Sequence, residues 1–377
     1  MTVDIDAAQF GNLLHAYGRS TDTPAHLAAL AGADPDARRA ALEHLWSAVI
    51  HQGTPWTATP PAAVVVAELL AGPLLTDAEL RADLLGFLAA VAEAGWVYED
   101  LDELAPPADF DFDSVLAAAL DSGDEEELYG DEIMANALYG RAVGGCRAAV
   151  PALLPAIMSA LSDPEAPVRA AAAHALAACR ASLTDPDTGD RLDELAARAG
   201  SDERAALVLA MGELGLKPRA YLDDPHPGVR ACAALAPGLA GDEVATAEIL
   251  AALRDPAATD DWFTRHPPQL GMRIRFALVA AAIDRIEDTA RLLPAALAIA
   301  AIAHRHTVDH DWGPLLRAFF ADYTGGSPTD IQTGYLAALV DNPDLWDPRH
   351  GNAGLVFRDA GLPYDRDTCR ALIRAGA

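Results

Sequence analysis

The chain has 377 residues, of which 51% are hydrophobic and 6% aromatic, and its 27 basic and 56 acidic residues give a formal net charge of −29. Nucleic-acid binders neutralise phosphates with Lys and Arg, and anionic membrane surfaces attract basic segments, so this charge argues against both kinds of partner. The apolar residues are mostly Ala, Leu and Val. Because Ala and Leu are strong helix formers, the composition predicts an all-α protein.

Three further features of the sequence indicate a cytoplasmic protein. Residues 1–10 lack the basic and apolar regions of a signal peptide, and no apolar run approaches the roughly 18 residues of a membrane span. The four cysteines are far apart and form no CxxC pair, so we expect them to be buried and unpaired: they are Cys146, Cys179, Cys232 and Cys369.

In chain order, the first candidate site lies where the first predicted helix pair turns. The turn contains Gly and Pro, and its polar and aromatic side chains are His51, Gln52, Trp56 and Thr57. Loops that a rigid scaffold holds often carry function, so we predict that these four residues bind a partner. The alternative is that Trp56, together with Trp46, only seals the N-terminal end of the core.

Residues 99–132 contain 14 acidic residues and no Lys or Arg. Such a segment is either a solvated insertion or a docking surface for a basic protein, because opposite charge accelerates association. Aromatic residues in and beside the segment favour docking, since aromatic anchors are typical of interface hot spots; they are Trp96, Tyr98, Phe110, Phe112 and Tyr129. A calcium loop beginning at Asp109 is disfavoured, because Ser114 and Leu120 occupy the positions of its essential Gly and Glu.

The clearest structural unit spans residues 151–180. Apolar residues at helical spacing mark one face of its first helix, which Asp163-Pro164 ends: Leu153, Ile157 and Leu161. A second helix begins at Pro167, a favoured first-turn position, and its apolar stripe includes Val168 and Leu176. We therefore predict an antiparallel pair of helices here.

The turn between these two helices recurs along the chain. Residues 223–230, Asp-Asp-Pro-His-Pro-Gly-Val-Arg, repeat the pattern of residues 163–169, Asp-Pro-Glu-Ala-Pro-Val-Arg, and residues 201–206 are a degraded copy between them. An earlier copy lies at 33–42 and a later one at 253–278. A period of about 30 residues indicates a solenoid, in which each repeat packs only on its neighbours.

A helix, then Asp-Pro, then Val-Arg-x-Ala-Ala opening a second helix resembles the HEAT-repeat family, and more narrowly the short bacterial repeats labelled after phycobilin lyases. The resemblance implies an α–α superhelix of stacked helix pairs. We expect one solenoid over residues 1–377, with the acidic segment 99–132 as an insertion and residues 328–377 as a cap. The resemblance also implies a structural ladder of turn Asp and helix Arg, formed by Asp163 with Arg169 and Asp224 with Arg230. Arg204 departs from that spacing.

A histidine cluster follows the apolar helix that ends near Ala303. Imidazoles can bind zinc or another transition metal, and His304, His306 and His310 could converge if their segment is a loop. The alternative is a polar turn with solvated histidines, which we favour because no HExxH motif supports a metal site.

No catalytic motif is present: the sequence has no GxSxG, no Walker loop and no GxGxxG after a strand. We therefore predict a non-catalytic protein-binding scaffold without a cofactor, such as an immunity or adaptor protein, whose partner carries a basic surface. One alternative is a bilin lyase or isomerase, which the narrower resemblance implies. Another is a HEAT-like DNA-repair glycosylase, which the acidic charge disfavours. The sequence leaves the oligomeric state open.

Overall fold

The computed structural model describes residues 5, 7–98, 100–123, 127–347, 349 and 351–376. Among the described residues, short turns of 3-10 helix connect several of the α-helices. The α-helices are α1 (Ala7–Phe10), α2 (Thr23–Leu30), α3 (Pro35–His44), α4 (Thr59–Ala71), α5 (Ala78–Ala94), α6 (Phe112–Ser122), α7 (Glu127–Gly130), α8 (Glu132–Ala160), α9 (Ala166–Ala178), α10 (Thr188–Arg198), α11 (Ser201–Glu213), α12 (Pro227–Ala234), α13 (Glu243–Ala252), α14 (Pro256–Asp260), α15 (Ile274–Arg285), α16 (Thr289–Ile302), α17 (Trp312–Phe319), α18 (Asp330–Asp341), α19 (Gly351–Asp359) and α20 (Arg366–Gly376).

The chain forms two compact units, residues 1–188 and residues 189–377. We call them unit 1 and unit 2 and describe each by itself. A single continuous solenoid over the whole chain therefore stays a prediction.

Helix pairs stack on one another in unit 1. The helices of each pair, α4 with α5 and α8 with α9, pack together, and α4 also packs on α8 while α5 packs on α9. The acidic segment lies in the chain between these two pairs and carries α6 and α7. Part of it, namely Glu99 and residues 124–126, lies outside the described residues.

Unit 2 has two rows of helices. One row runs through α13, α15, α17 and α19, and the other runs through α16, α18 and α20. The predicted cap, residues 328–377, contains α18 to α20, which continue both rows. The predicted all-α fold of stacked helix pairs is confirmed.

The apolar stripes predicted for the two helices of residues 151–180 are buried in unit 1. Leu153, Ile157 and Leu161 are buried, as are Val168 and Leu176 on α9. The first helix of this pair begins earlier than its sequence unit does, because α8 runs without a break through two internal prolines. By length and composition alone, α8 is also the one described helix that could cross a membrane. It packs against α4, α5 and α9, as the core helix of a folded unit does.

Two short β-hairpins in unit 1 were not expected from the sequence. They pair β1 (Leu14–His15) with β2 (Gly18–Arg19), and β3 (Ile50–His51) with β4 (Thr54–Pro55). The second hairpin turns at Gln52 and Gly53, whose φ angles are 52° and 82°. Two consecutive positive φ angles define a tight two-residue turn, for which Gly is well suited. Strands of two residues are too short to show the alternating pattern that predicts a strand.

An arginine occupies the fourth position of six described helices, namely Arg38, Arg81, Arg169, Arg191, Arg204 and Arg230. In two of them, Arg169 and Arg230, the side chain reaches back over the Asp-Pro turn that precedes its helix. Arg169 Nη1 donates to the carbonyl oxygens of Asp163 and Pro164 at 2.7 and 2.8 Å, and Arg230 Nη1 donates to that of Asp224 at 3.0 Å. The predicted Asp and Arg are thus adjacent, and they meet through backbone oxygens.

The carboxylates of the two turn aspartates accept hydrogen bonds from arginines of other helices. Asp163 accepts from Arg81 of α5, and Asp224 accepts from Arg204 of α11 at 2.9 Å. Arg204 also donates to the carbonyl oxygens of Ala196 and Ala199. Arg204 therefore contacts the backbone of the preceding turn as Arg169 does, despite its irregular sequence spacing, and it also bonds to the turn before the next helix.

Candidate docking site in unit 1

The β3–β4 hairpin holds two of the predicted binding residues at the start of α4. Thr57 Oγ1 accepts a hydrogen bond from the Leu14 amide at 2.8 Å, and the Trp56 amide donates to Thr59 Oγ1 at 2.8 Å. The Thr59 hydroxyl in turn donates to the carbonyl oxygen of Val49. These hydrogen bonds hold Trp56 through its backbone amide and Thr57 through its hydroxyl group.

A small cavity of about 120 Å³ lies between this hairpin and α8. Its walls are mostly apolar and aromatic, and they include Leu14, Trp56, Thr57, Leu138 and Tyr139. The Trp56 Nε1 atom is buried and has no hydrogen-bond partner among the described residues. A cavity of this size accommodates one apolar or aromatic side chain.

Exposed aromatic side chains flank the cavity on both sides. Tyr129, 42% exposed, packs edge-on against Trp56 with 5.6 Å between ring centroids. Tyr98, 37% exposed, packs edge-on against Tyr139 at 5.9 Å. We call Trp56, Trp96, Tyr98, Tyr129 and Tyr139 the aromatic surface. It joins two groups of residues that the sequence suggested separately, and Tyr139 of α8 connects them.

Arg147 of α8 holds the Trp96 and Tyr98 end of the aromatic surface in place. Its guanidinium lies 4.3 Å from the centre of the Trp96 ring, and it donates to the carbonyl oxygens of Gly95 and Tyr98. Gly95 is needed for this approach, since a Cβ there would lie 2.7 Å from the Arg147 amide nitrogen. Arg147 therefore contacts the Trp96 ring and the Tyr98 backbone without a partner present.

The other predicted binding residues of this unit lie elsewhere. Phe112 is only 4% exposed and packs in a small core under Arg141, whose guanidinium is 3.6 Å from its ring centre. Phe110 is half-buried against the same core. His51 Nδ1 bonds to the Ser47 carbonyl oxygen at 2.7 Å, and Gln52 is exposed in the hairpin turn. The structure does not place these four side chains on the aromatic surface.

A larger cavity of about 660 Å³ lies beside α4, α6 and α8, and Thr57, Phe112 and Arg141 are among its lining residues. Arg141 is its main charged group, and it already pairs with Asp113 at 2.8 Å. The nearby Cys146 thiol is buried, and burial raises its pKa to about 12. A thiol with this pKa stays protonated at neutral pH and is not a nucleophile.

The three histidines of the predicted cluster in unit 2 make different contacts. His304 Nδ1 accepts a hydrogen bond from the His306 amide at 3.4 Å, whereas the His310 ring stacks on Phe276 at 5.1 Å. Among the described residues, one group of side chains brings its potential ligand atoms as close together as a metal site requires. That group lies in unit 1 and contains none of these three histidines.

That group consists of His15, Asp22 and His44, and sequence reasoning missed it. His15 Nε2 lies 3.0 Å from Asp22 Oδ1, and His44 Nε2 lies 2.9 Å from Thr23 Oγ1. Burial, reinforced by the neighbouring His26, lowers the pKa of His44 to about 4. The separations of these residues along the chain fit no helical or metal-binding motif, so the sequence offered no signal for them.

One comparison with known proteins gave a match. Residues 153–179, the C-terminal end of α8 together with α9, match the family model described as the HEAT repeat. No curated protein and no solved structure matches the chain. The chain is therefore an all-α protein of stacked helix pairs in which one segment matches the HEAT repeat.

Proposed function

We propose that this chain is a non-catalytic protein-binding scaffold and that its partner docks on the aromatic surface of unit 1. The observation that carries the proposal is a small apolar cavity bordered by exposed aromatic rings. Tyr and Trp are enriched at the energetic centres of protein interfaces, where a side chain of one partner fills a pocket of the other. Stacked helical repeats present extended surfaces that suit such contacts.

The order of the aromatic surface in the free chain supports this proposal. Arg147 already contacts Trp96 and bonds to the Tyr98 backbone, and Trp56 and Tyr139 are half-buried in ring contacts. A partner that binds pre-ordered side chains loses less conformational entropy, so more of the contact energy appears as affinity.

The charge around the aromatic surface favours a basic partner. Asp100, Asp102 and Glu103 are exposed directly after Tyr98, and the acidic segment to which they belong contains no Lys or Arg. An acidic rim around an apolar centre suits a basic polypeptide with an apolar or aromatic residue that enters the cavity. In its most specific form, the proposal is that this chain acts in the cytoplasm as an immunity or adaptor protein.

The enzymatic and nucleic-acid alternatives have less support. A bilin lyase rests on the narrower family resemblance, for which no relative provides support. A DNA glycosylase would need a basic groove, and the chain has twice as many acidic as basic residues. Neither hypothesis is favoured by a specific contact in the described residues.

Affinity capture with three forms of the full chain tests the proposal. The first is the wild type, and the second carries Tyr98→Ala and Tyr129→Ala, which truncate exposed rings. The third is a matched control with Met272→Ala and Leu297→Ala, exposed apolar residues of unit 2. Captured proteins from the source cells are quantified by mass spectrometry, and circular dichroism checks the fold of each form.

We expect a basic protein that the wild type and the control capture and the aromatic variant loses. Its affinity, measured by calorimetry with purified components, should fall at least about tenfold in the aromatic variant, since hot-spot truncations cost about 2 kcal/mol or more. The proposal is wrong if every captured protein binds the aromatic variant and the wild type equally well.

A further inference from the structure

Three potential metal ligands from three elements meet near the first hairpin of unit 1. His15 lies on β1, Asp22 directly precedes α2, and His44 is the last residue of α3. One ligand atom from each lies within 4.8 Å of the other two. Both imidazoles are buried, at 4% and 8% exposure, whereas the Asp22 side chain is 55% exposed. The group is therefore walled by protein on one side and open to solvent on the other.

We propose that His15, Asp22 and His44 bind one divalent transition-metal ion of the Zn²⁺ type. Two imidazoles and one carboxylate form a ligand set that Zn²⁺ and neighbouring metals prefer, and three protein ligands leave a coordination position for water. The solvent-facing side of Asp22 provides the entry path. This site is separate from the aromatic surface and does not depend on the proposed docking function.

The surrounding contacts hold the ligands in orientation. His26 stacks on His44 with 4.1 Å between ring centroids and an interplanar angle of 11°, and the His15 and His44 rings meet edge to face at 5.4 Å. Neighbours that fix the planes of ligand rings raise metal affinity, because the site then needs little rearrangement on binding.

Several hydrogen bonds of the ligands change when the ion binds. The ion replaces the proton shared between His15 Nε2 and Asp22 Oδ1, which lie 3.0 Å apart, and a ligand bond from His44 Nε2 replaces its 2.9 Å contact with Thr23 Oγ1. The Tyr17 amide donates to His15 Nδ1 at 3.1 Å, so the proton of the neutral ring is on Nε2 and points to Asp22. A metal ion on Nε2 moves this proton to Nδ1, and the Tyr17 amide loses its acceptor. Tyr17 lies in the hairpin turn and is 68% exposed, so water can replace the acceptor. The free energy lost with this hydrogen bond is small compared with the free energy that the metal–imidazole bonds release.

Titration of the metal-free full chain with Co²⁺, a spectroscopic substitute for Zn²⁺, tests the site. We expect one Co²⁺ per chain, with visible absorption bands of a four- or five-coordinate ion, and displacement by Zn²⁺. Asp22→Asn should weaken binding at least about tenfold, because the exposed carboxylate can be changed without disturbing the core. His44→Gln, checked for folding by circular dichroism, should weaken it further.

The control carries His304→Gln and His306→Gln, which remove a close histidine pair of unit 2. This variant should bind Co²⁺ like the wild type. The proposal is overturned if the wild type shows no saturable binding at millimolar Co²⁺, or if Asp22→Asn binds with unchanged affinity. It is equally overturned if the control, and not Asp22→Asn, loses the bands.

Discussion

At the scale of single residues, His174 is a partly buried titratable group within the stretch that matches the HEAT repeat. Its ring lies in α9, and its Nδ1 atom has no hydrogen-bond partner among the described residues. Burial lowers the pKa of His174 from 6.5 to about 4, because the imidazolium would lose its hydration inside the core. The native state therefore binds this proton less readily than the unfolded chain does.

We predict that His174→Leu reduces the loss of stability in mild acid. Because the pKa of His174 is lower in the folded state, the unfolded chain takes up a proton first as the pH falls below 6.5. The free energy of unfolding therefore decreases between pH 6.5 and about pH 4. Between pH 7 and pH 4.5 this loss is about 2–3 kcal/mol. Urea unfolding at both pH values should show a smaller decrease for the variant by about that amount. Equal decreases in the two proteins would contradict the depressed pKa.

At the scale of elements, Arg81, Arg204 and Arg230 connect helices through charged hydrogen bonds. Arg204 and Asp224 are mostly buried, with side-chain exposures of 22% and 7%. Arg39 and Asp36 form an ion pair on α3 with exposures of 74% and 77%. Water and salt screen exposed pairs, so the buried pair should couple more strongly.

A double-mutant cycle with Arg204→Met and Asp224→Asn measures the strength of this connection. We predict a coupling energy of about 1–2 kcal/mol from urea unfolding. The matched cycle with Arg39→Met and Asp36→Asn should give less than about 0.5 kcal/mol. Similar coupling in the two cycles would show that the Arg204–Asp224 contact does not hold the helices together.

Helix pairing shows which elements could be predicted. The apolar spacing of α9 and the Asp-Pro turn before it are local signals, and both correspond to the structure. The hairpins were missed because two-residue strands depend on contacts such as the Leu14 amide with Thr57 Oγ1, 43 positions away. The unbroken path of α8 was also missed, because proline normally ends or kinks a helix and here two prolines lie inside one.

At the scale of the whole molecule, the net charge of −29 creates a field that attracts basic partners over distances beyond direct contact. Salt screens such attraction, with a Debye length of about 8 Å at physiological ionic strength. The exposed acids next to the aromatic surface should therefore affect how fast a partner arrives more than how long it stays.

We predict that Asp100→Asn, Asp102→Asn and Glu103→Gln together slow association of the captured partner at least about threefold at low salt. The dissociation rate should change little. A control that neutralises the exposed Asp284, Glu287 and Asp322 of unit 2 has the same net charge and should associate faster than the first variant. Stopped-flow measurements at several salt concentrations check this; equal rates would show that net charge alone determines association.

The candidate sites required more than local information. Trp56, Trp96 and Tyr98 were predicted as binding residues, but no sequence pattern singled out Tyr139, which links them. Phe112 was expected at a surface and is buried, because α6 is amphipathic and turns this side chain towards α8. The convergence of His15, Asp22 and His44 depends on a hairpin that no local pattern indicated.

The sequence by itself determined the helical class, the paired repeats and the acidic charge, because helix periodicity, turn chemistry and composition are properties of short segments or of simple sums. Only the tertiary structure decided which distant side chains meet. Arg81 reaches Asp163 across 82 positions, and Trp56 shares a cavity with Tyr139. Such contacts follow from how α4 and α5 stack on α8 and α9 across the inserted acidic segment, and the energy of that stacking is spread over the whole core.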